Sequence, residues 1–113
     1  MIEKVILDYL KEVLEVDVLL ERVPGVDLPF VLFERTGSRV YNHTTTALFA
    51  FQSYAETMYK AAELNEKLKD ALNDMPNHTD ISKAKLNSDY NFTNIQTNEY
   101  RYQSVYEITY IGG

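Results

Sequence analysis

The two histidines are the first candidates for metal chemistry, because neutral imidazole is a common ligand in protein metal sites. His43 and His78 each lie within an Asn-His-Thr triplet. A metal site requires both to converge with at least one further ligand, such as a carboxylate. The triplets are placed in different connections, and their separation matches no short-range ligand spacing. We therefore predict no metal site.

Side chains that serve in catalysis are also present, but not in catalytic arrangements. Serine, histidine and aspartate occur without a nucleophile elbow, and no glycine-rich loop is present that would hold a phosphate. Glu34 and Glu107 are candidates for a carboxylate pair, yet both are predicted at exposed strand ends. The chain has no cysteine, which excludes thiol chemistry. We predict no catalytic residue, no cofactor and no enzymatic activity.

One charged cluster remains, within the segment LPFVLFERTGSRV. An apolar run leads into Glu34 and Arg35, and Arg39 follows a predicted turn at Thr36-Gly37-Ser38. Gly37 would supply positive φ in that turn at no steric cost. The pattern predicts a strand ending in a presented hairpin tip. Such a tip either docks on a neighbouring subunit or is a solvated end that adds almost no stability.

Length and charge bound the remaining possibilities. A chain of 113 residues predicts a single domain, residues 1–113. No apolar run reaches the roughly 20 residues that span a bilayer, and Glu3 and Asp8 interrupt the N-terminal apolar pattern, so we expect neither a membrane segment nor a secretion signal. The net charge of −6, without a basic cluster, argues against sequence-specific DNA binding.

Apolar periodicity predicts two amphipathic helices and four strands. The first helix carries its stripe from Ile2 to Leu14, and an extended segment around Val18 is closed by Pro24-Gly25. The predicted strands are Phe30–Arg35, Val40–Ser53, Ile81–Leu86 and Tyr100–Ile111, with the second helix at Glu56–Met75. The strand from Phe30 is apolar on both faces, which predicts a central position.

The element order is helix, hairpin, helix, hairpin. It predicts an α+β fold with a four-stranded, mainly antiparallel sheet and both helices on one face. The first hairpin is apolar on both sides, so the second sheet face is not cleanly polar. Self-association through that face is favoured over a loop that folds across it. The polar segment Asn87–Asn98 is predicted as a long loop, either functional or mobile.

Several of these segments resemble the tail-terminator proteins of long-tailed bacteriophages and prophages. The resemblance covers roughly residues 28–111. It is carried by an apolar strand ending in an Arg-Thr-Gly turn, by an alternating strand that leads into an alanine-rich helix, and by an Arg-aromatic pair that opens the last strand. The matching residues are Pro29-Phe30-Val31, Glu34-Arg35-Thr36-Gly37, Ser53-Tyr54-Ala55, Ala61-Ala62-Glu63-Leu64, Leu68-Lys69-Asp70-Ala71-Leu72 and Tyr100-Arg101-Tyr102. Ser38 departs from the pattern, because a second glycine is common there, and the Asn-rich loop is unusual.

The resemblance implies a structural protein of the virion. Such proteins form a ring, typically a hexamer, on the head-proximal end of the tail tube, where the ring stops tube polymerisation and joins the tail to the head–tail connector. DNA passes through the ring without specific binding. The implied partners are further copies of this chain, the tail tube protein and the connector protein. The implied location is the virion tail, and the host cytoplasm during assembly.

The resemblance and the charged cluster together give the candidate contact residues. Those expected to contact the tube or a neighbouring subunit are Glu34, Arg35, Gly37, Arg39, Tyr100, Arg101 and Tyr102. A head-completion or connector protein of the same virion region is the nearest alternative. A small α+β enzyme or ligand-binding domain is the alternative from another class, and it would need a concave pocket with convergent polar groups.

Overall fold

A computed structural model describes residues 1–112 as one α+β domain with two helices and one sheet. A short 3₁₀ turn, Met75–Asn77, follows the second helix. The described chain extends over 45 × 25 × 24 Å. The elements in chain order are α1 (Ile2–Val13), β1 (Asp17–Leu19), β2 (Phe30–Tyr41), β3 (Thr44–Ala55), α2 (Met58–Asp74), β4 (Lys83–Asn91) and β5 (Tyr100–Ile111).

The sheet has five strands and is mixed, so the predicted four-stranded, mainly antiparallel sheet is wrong. The predicted order helix, hairpin, helix, hairpin is also wrong, because β1 comes between α1 and the first hairpin. Its strand order is β1-β2-β3-β5-β4, and β1 runs parallel to β2 while the other pairs are antiparallel. The extra strand is the segment expected only to be extended. Val18 is 2% exposed and lies opposite Val31, so burial of one apolar side chain selects this pairing. A strand of three residues is too short to show a periodicity.

The first hairpin turns later than its sequence suggests. The predicted turn at Thr36-Gly37-Ser38 is wrong, because β2 continues to Tyr41 and takes up a register shift between Arg35 and Gly37. Gly37 does not have positive φ; the residues that do are Asn42 (φ 50°) and His43 (φ 65°). Two left-handed residues between paired strands are the signature of a type I′ turn, whose twist matches that of the strands.

Strand β4 is also longer than predicted. It ends at Asn91, so the first five residues of the predicted loop Asn87–Asn98 belong to the sheet. A register shift between Leu86 and Ser88 lets the polar residues continue pairing along β5. The partner strand, β5, is 12 residues long. Its backbone donors and acceptors continue the pairing along the polar part of β4, where no apolar side-chain pattern indicates a strand. The remaining connection is itself closed by a bridge between Asn94 and Glu99.

Both helices pack on the same face of the sheet. The core beneath them contains alternate residues of the three central strands, including Phe33, Phe51 and Tyr106. Tyr9 of α1 donates a hydrogen bond of 2.6 Å to the carbonyl oxygen of Ala71, which fixes the two helices side by side. Helix α2 begins at Thr57, whose hydroxyl accepts from the backbone N–H of Lys60 at 3.1 Å.

Strand β3, and not β2, is the centre of the sheet. The outer edge of β2 is paired only from Phe30 to Leu32, where β1 lies beside it. From Glu34 to Tyr41 every residue of β2 is exposed, whichever face of the sheet its side chain lies on. This stretch, which we call the outer arm, is paired with β3 on one edge and lacks a described partner strand on the other.

Candidate assembly surfaces

The outer arm, Glu34–Tyr41, is a regular strand that contributes nothing to the core. Its tip is apolar: Val40 is 61% exposed and Tyr41 is 78% exposed. Tyr41 lies opposite Thr44, which in turn lies opposite Ile111, also 79% exposed. An ordered strand edge with apolar side chains at its end is a template for contact with another chain.

The predicted charged cluster is divided between the two faces of the sheet. Arg35 lies on the helix side, where its Nη2 lies 2.9 Å from Oε2 and 3.2 Å from Oε1 of Glu3 in α1. Arg39 lies on the opposite side, with Nη2 at 3.5 Å from Oε1 of Glu107. The two arginines therefore do not form one tip: Arg35 connects the strand to α1, whereas Arg39 lies on the open sheet face.

The other two residues of that cluster lie within the paired strand. Glu34 is exposed opposite Ala50 and forms no ion pair with any residue between 1 and 112. Gly37 lies just after the register shift, opposite Leu48. A Cβ built on Gly37 would meet nothing within 4 Å, so a small side chain would fit there.

Arg101 forms the best-defined polar contacts of the predicted contact residues. Its Nε donates to the carbonyl oxygen of Phe92 at 2.7 Å, and its Nη1 donates to the Tyr54 hydroxyl at 3.0 Å. The guanidinium also lies 4.6 Å from the centre of the Phe92 ring and 5.6 Å from that of Tyr54. Arg101 thus fixes the start of β5 to the β4–β5 connection. These contacts depend on both the charge and the planar geometry of the guanidinium group.

Arg22 completes this arrangement and was not predicted. Its guanidinium lies 5.2 Å from the Tyr54 ring centre and 5.6 Å from that of Phe30, and those two rings stack at 4.6 Å. A hydrogen bond to the Glu99 carboxylate, at 2.9 Å, raises the pKa of Arg22 above its ordinary value. The connection carrying Arg22 covers this end of the open face, so a loop covers part of that face and leaves the rest open. A lone arginine beside a Pro-Gly turn gives no sequence signal for this role.

A chain of polar side chains continues from this cluster across the open face. The Tyr54 hydroxyl donates to Oε1 of Gln52 at 2.9 Å, and Gln52 donates to Oε1 of Gln103 at 2.8 Å. Gln103 in turn donates to the Tyr90 hydroxyl. These contacts order the side chains of three strands on the face that lacks helices, and an ordered polar surface loses little conformational entropy on binding.

Tyr100 and Tyr102, the remaining predicted contact residues, lie on the helix side of β5. Both are half-buried, and they lie opposite Ala55 and Ser53. They are separated from Arg101 because alternate residues of a strand point to opposite faces. The structure therefore does not bring the three residues into one contact site.

A partly buried polar network joins α2 to the sheet. Ser104 donates to Oδ1 of Asn65 at 2.5 Å, and Asn65 donates to the Asp89 carboxylate at 3.3 Å. The same carboxylate lies 2.5 Å from Nζ of Lys69, and this contact raises the pKa of Lys69. Asn65 is 2% exposed at a position four residues after Ala61, within the apolar stripe of α2. A polar residue on that stripe is the signal by which sequence analysis could have found the network.

Tyr106 lies beside this network and links protein stability to alkaline pH. Burial raises the pKa of Tyr106 to about 12 from an ordinary 10.0. The folded state thus retains the phenolic proton more tightly than the unfolded chain does. Its stabilising contribution is complete below pH 10 and is lost as the pH rises through 12. We expect the free energy of unfolding to fall across this window, and to fall less steeply in Tyr106→Phe. Urea unfolding at a series of pH values measures both slopes; equal slopes would show that Tyr106 is not the group responsible.

A groove of about 1320 Å³ runs along the helix side of the molecule. Its apolar lining includes Tyr9, Leu14 and Leu64, and Val5 and Val13 lie along it at 39% and 45% exposure. Eight carboxylate side chains line it against two lysines, Lys60 and Lys67. The carboxylates are those of Asp8, Glu12, Glu15, Glu56, Glu63, Asp70, Asp74 and Asp80. The groove combines an apolar lining with a strongly negative rim.

At one end of the groove, Asp74 accepts hydrogen bonds from Asn77 at 2.8 Å and from His78 at 2.7 Å, which hold the pKa of its carboxyl group below the ordinary value. Between residues 1 and 112, no group of three or more His, Cys, Asp or Glu side chains is arranged to hold a metal ion. Neither helix of the described chain has the length and apolar character that crossing a membrane requires. The sequence matches no protein-family model and none of the curated proteins searched.

Proposed function

We propose that this protein is a structural component of a phage or prophage virion that closes the head-proximal end of the tail tube as a ring. In this proposal the ring, of about six subunits, stops tube polymerisation and joins the tail to the head connector. DNA passes through its centre. The resemblance of segments between residues 28 and 111 to tail-terminator proteins motivates this assignment. The exposed surfaces described above support it physically.

The outer arm is the observation that carries the proposal. A stretch of eight strand residues is exposed on both faces, is paired on only one edge and ends in Val40 and Tyr41. Natural proteins usually shorten, cover or charge such edges, because an exposed edge recruits other chains. The arm carries charge at Glu34, Arg35 and Arg39, but its tip, Val40 and Tyr41, is uncharged and exposed, and contact with another chain in an assembly accounts for such a tip.

The acidic character of the molecule fits a ring around passing DNA. The net charge is −6, and like charge on the ring would keep phosphates from adhering to it. The contacts of this role also need no reacting group, which agrees with the prediction that the protein is not an enzyme. The aromatic and hydrogen-bonded surface of the open face supplies complementarity instead.

A head-completion or connector protein remains the second candidate, because an exposed arm and two chemically different faces serve either position in the virion. The two roles predict different particles in the absence of this protein. Overlong tubes indicate a terminator. Tails of normal length that fail to join heads indicate a connector protein.

The mass of the purified protein tests the ring directly. Light scattering is expected to show a particle near 79 kDa, which corresponds to about six chains of 13.1 kDa. Dilution should return the monomer in a cooperative transition, since a ring closes through many identical contacts. A strict monomer at the highest attainable concentration would contradict the proposed ring.

A further inference from the structure

The net charge of the molecule is concentrated in the groove between α1 and α2. The chain has 17 acidic and 11 basic side chains. Eight acidic and two basic side chains line the groove, which leaves nine of each elsewhere. The groove therefore holds the whole net charge of −6, and the charges on the rest of the molecule balance. Charges that serve only solubility are interspersed over a surface, so this concentration indicates a site for a cationic ligand.

Most of the groove carboxylates are free to pair with such a ligand. Three of the eight already lie beside a cation, namely Lys4, Lys60 or His78. The other five are exposed and form no ion pair with any residue between 1 and 112: Glu12, Glu15, Glu63, Asp70 and Asp80. A cationic ligand would therefore pair with these five without breaking an existing ion pair.

The groove also has an apolar floor. Few backbone positions of α1 and α2 approach each other closely, and the Tyr9 side chain spans the space between the helices. Leu14 and Leu64 line this space, and Val5 and Val13 are 39% and 45% exposed along it. Apolar surface of this kind favours a ligand that covers it, because covering it removes it from water.

The two helices place acidic residues on both sides of this floor. Asp8 and Glu12 lie on α1, and Glu63, Asp70 and Asp74 lie on α2. The helices have 12 and 17 residues, so they are about 18 and 25 Å long at a rise of roughly 1.5 Å per residue. An elongated apolar channel between two acidic rims fits an amphipathic helix whose apolar stripe is flanked by lysine or arginine on both sides.

The chain itself does not provide this ligand. Both of its helices already bury their apolar stripes against the sheet, and its charges outside the groove balance. Nucleic acids and anionic lipids are repelled by the groove carboxylates, because their phosphates carry the same charge. We infer that the groove binds a basic amphipathic helix of another protein. This ligand is additional to the ring contacts proposed above, and its binding does not require a ring.

A synthetic helical peptide tests the groove. The peptide has 17 residues, the length of α2, with leucine at every third or fourth position, lysine on both flanks of that stripe and alanine elsewhere. Titration calorimetry is expected to show one peptide bound per chain, with an affinity that falls as NaCl screens the charges. Two control peptides should not bind: one has glutamate in place of lysine, and the other has the same composition with its leucines distributed around the helix.

Charge reversal in the groove is expected to weaken peptide binding about tenfold or more. The groove variant carries Glu12→Lys and Asp70→Lys, one substitution on each helix. Both side chains are exposed. Each new lysine follows a carboxylate, that of Asp8 or Glu66, by four residues on its helix, so the variant is expected to fold, which thermal unfolding checks.

Two further variants separate docking from a general attraction between opposite charges. The control, Glu21→Lys with Glu34→Lys, makes the same change of charge at exposed residues outside the groove and should bind the peptide within about twofold of the wild type. The variant Val5→Gln with Val13→Gln keeps every charge and removes exposed apolar surface from the groove. It is expected to weaken binding several-fold at low and at high salt.

The location of the bound peptide completes the test. In NMR spectra of the wild type, the peptide is expected to shift backbone amides of α1 and α2 and to leave those of the outer arm unchanged. Three results overturn the inference: no binding by the wild type, equal loss of binding in the control and groove variants, or amide shifts on the sheet in place of the helices. Loss of the ring-sized mass in the groove variant, without peptide binding by the wild type, shows that a second copy fills the groove and equally overturns it.

Discussion

Replacing Phe51 with alanine is expected to lower the free energy of unfolding by about 3–5 kcal/mol. Phe51 is 0% exposed in the central strand. Its ring stacks on Phe33 at 5.2 Å and meets the edge of Tyr106 at 6.1 Å, with Phe49 also at 6.1 Å. The substitution removes these contacts and leaves a cavity between the sheet and both helices. Domains of this size are stabilised by only about 5–15 kcal/mol, so a large part of the total is lost.

Urea denaturation of the wild type and of Phe51→Ala measures this loss. Tyr59→Ala is the matched control, because Tyr59 is 76% exposed in the first turn of α2 and its truncation removes an aromatic ring without opening a cavity. The control should stay within about 0.5 kcal/mol of the wild type. If Phe51→Ala costs no more than Tyr59→Ala, the aromatic cluster is not the centre of the core.

If the protein has the proposed tail-terminator role, replacing Val40 and Tyr41 with aspartate is expected to abolish termination of the tail while leaving the fold intact. Both side chains are largely exposed, at 61% and 78%, so the new carboxylates remain solvated and the free energy of unfolding changes by about 1 kcal/mol or less. In the assembly the same carboxylates would lie against another chain. Burying an unpaired charge there costs several kcal/mol, which is enough to prevent the contact.

The matched control for the arm is Tyr59→Asp. It makes the same chemical change at a tyrosine of similar exposure, 76%, at a site outside the arm. Complementation of a phage or prophage that lacks this gene compares the two variants by tail length in electron micrographs. Overlong tails with the arm variant and normal tails with the control are expected. Normal tails with both variants would show that the outer arm makes no necessary contact in the assembly.

The amphipathic helices and the last strand were predictable because their apolar residues repeat at the period of the element. Ile6 and Leu10 of α1, and Leu68 and Leu72 of α2, recur at helical spacing and are buried as that spacing requires. In β5, alternation assigns Tyr106 and Ile108 to the core side, where both are 0% exposed. Local sequence was sufficient to predict an element wherever only one face of that element is covered by the core.

The strand boundaries were not predictable, because side-chain pattern did not determine them. Gly37 has the composition of a turn, yet the chain passes through it as a strand and turns at Asn42-His43. The position of the turn is determined by the pairing partner, since the backbone groups of β3 are available for hydrogen bonding from Thr44 onward. The same applies to β1, whose three residues pair in parallel with a strand ten residues further along the chain.

The surroundings of the predicted contact residues were not predictable for the same reason. Arg101 was named from its place in the last strand, but its partners Tyr54 and Phe92 come from other strands and connections. Arg35 and Arg39 were grouped because they are close in sequence, whereas the register shift near Gly37 and the alternation of the strand direct them to opposite faces. Clusters assembled across strands are determined by register, which a single sequence does not reveal.

The length distribution of tails formed without this protein tests the central proposal most directly. Electron micrographs of lysates from a phage or prophage with the gene deleted are expected to show tubes well beyond the normal length. Expression of the wild-type chain in trans should return the distribution to a single length. Tails of normal, uniform length in the deletion strain would contradict the terminator role, whether or not those tails join heads.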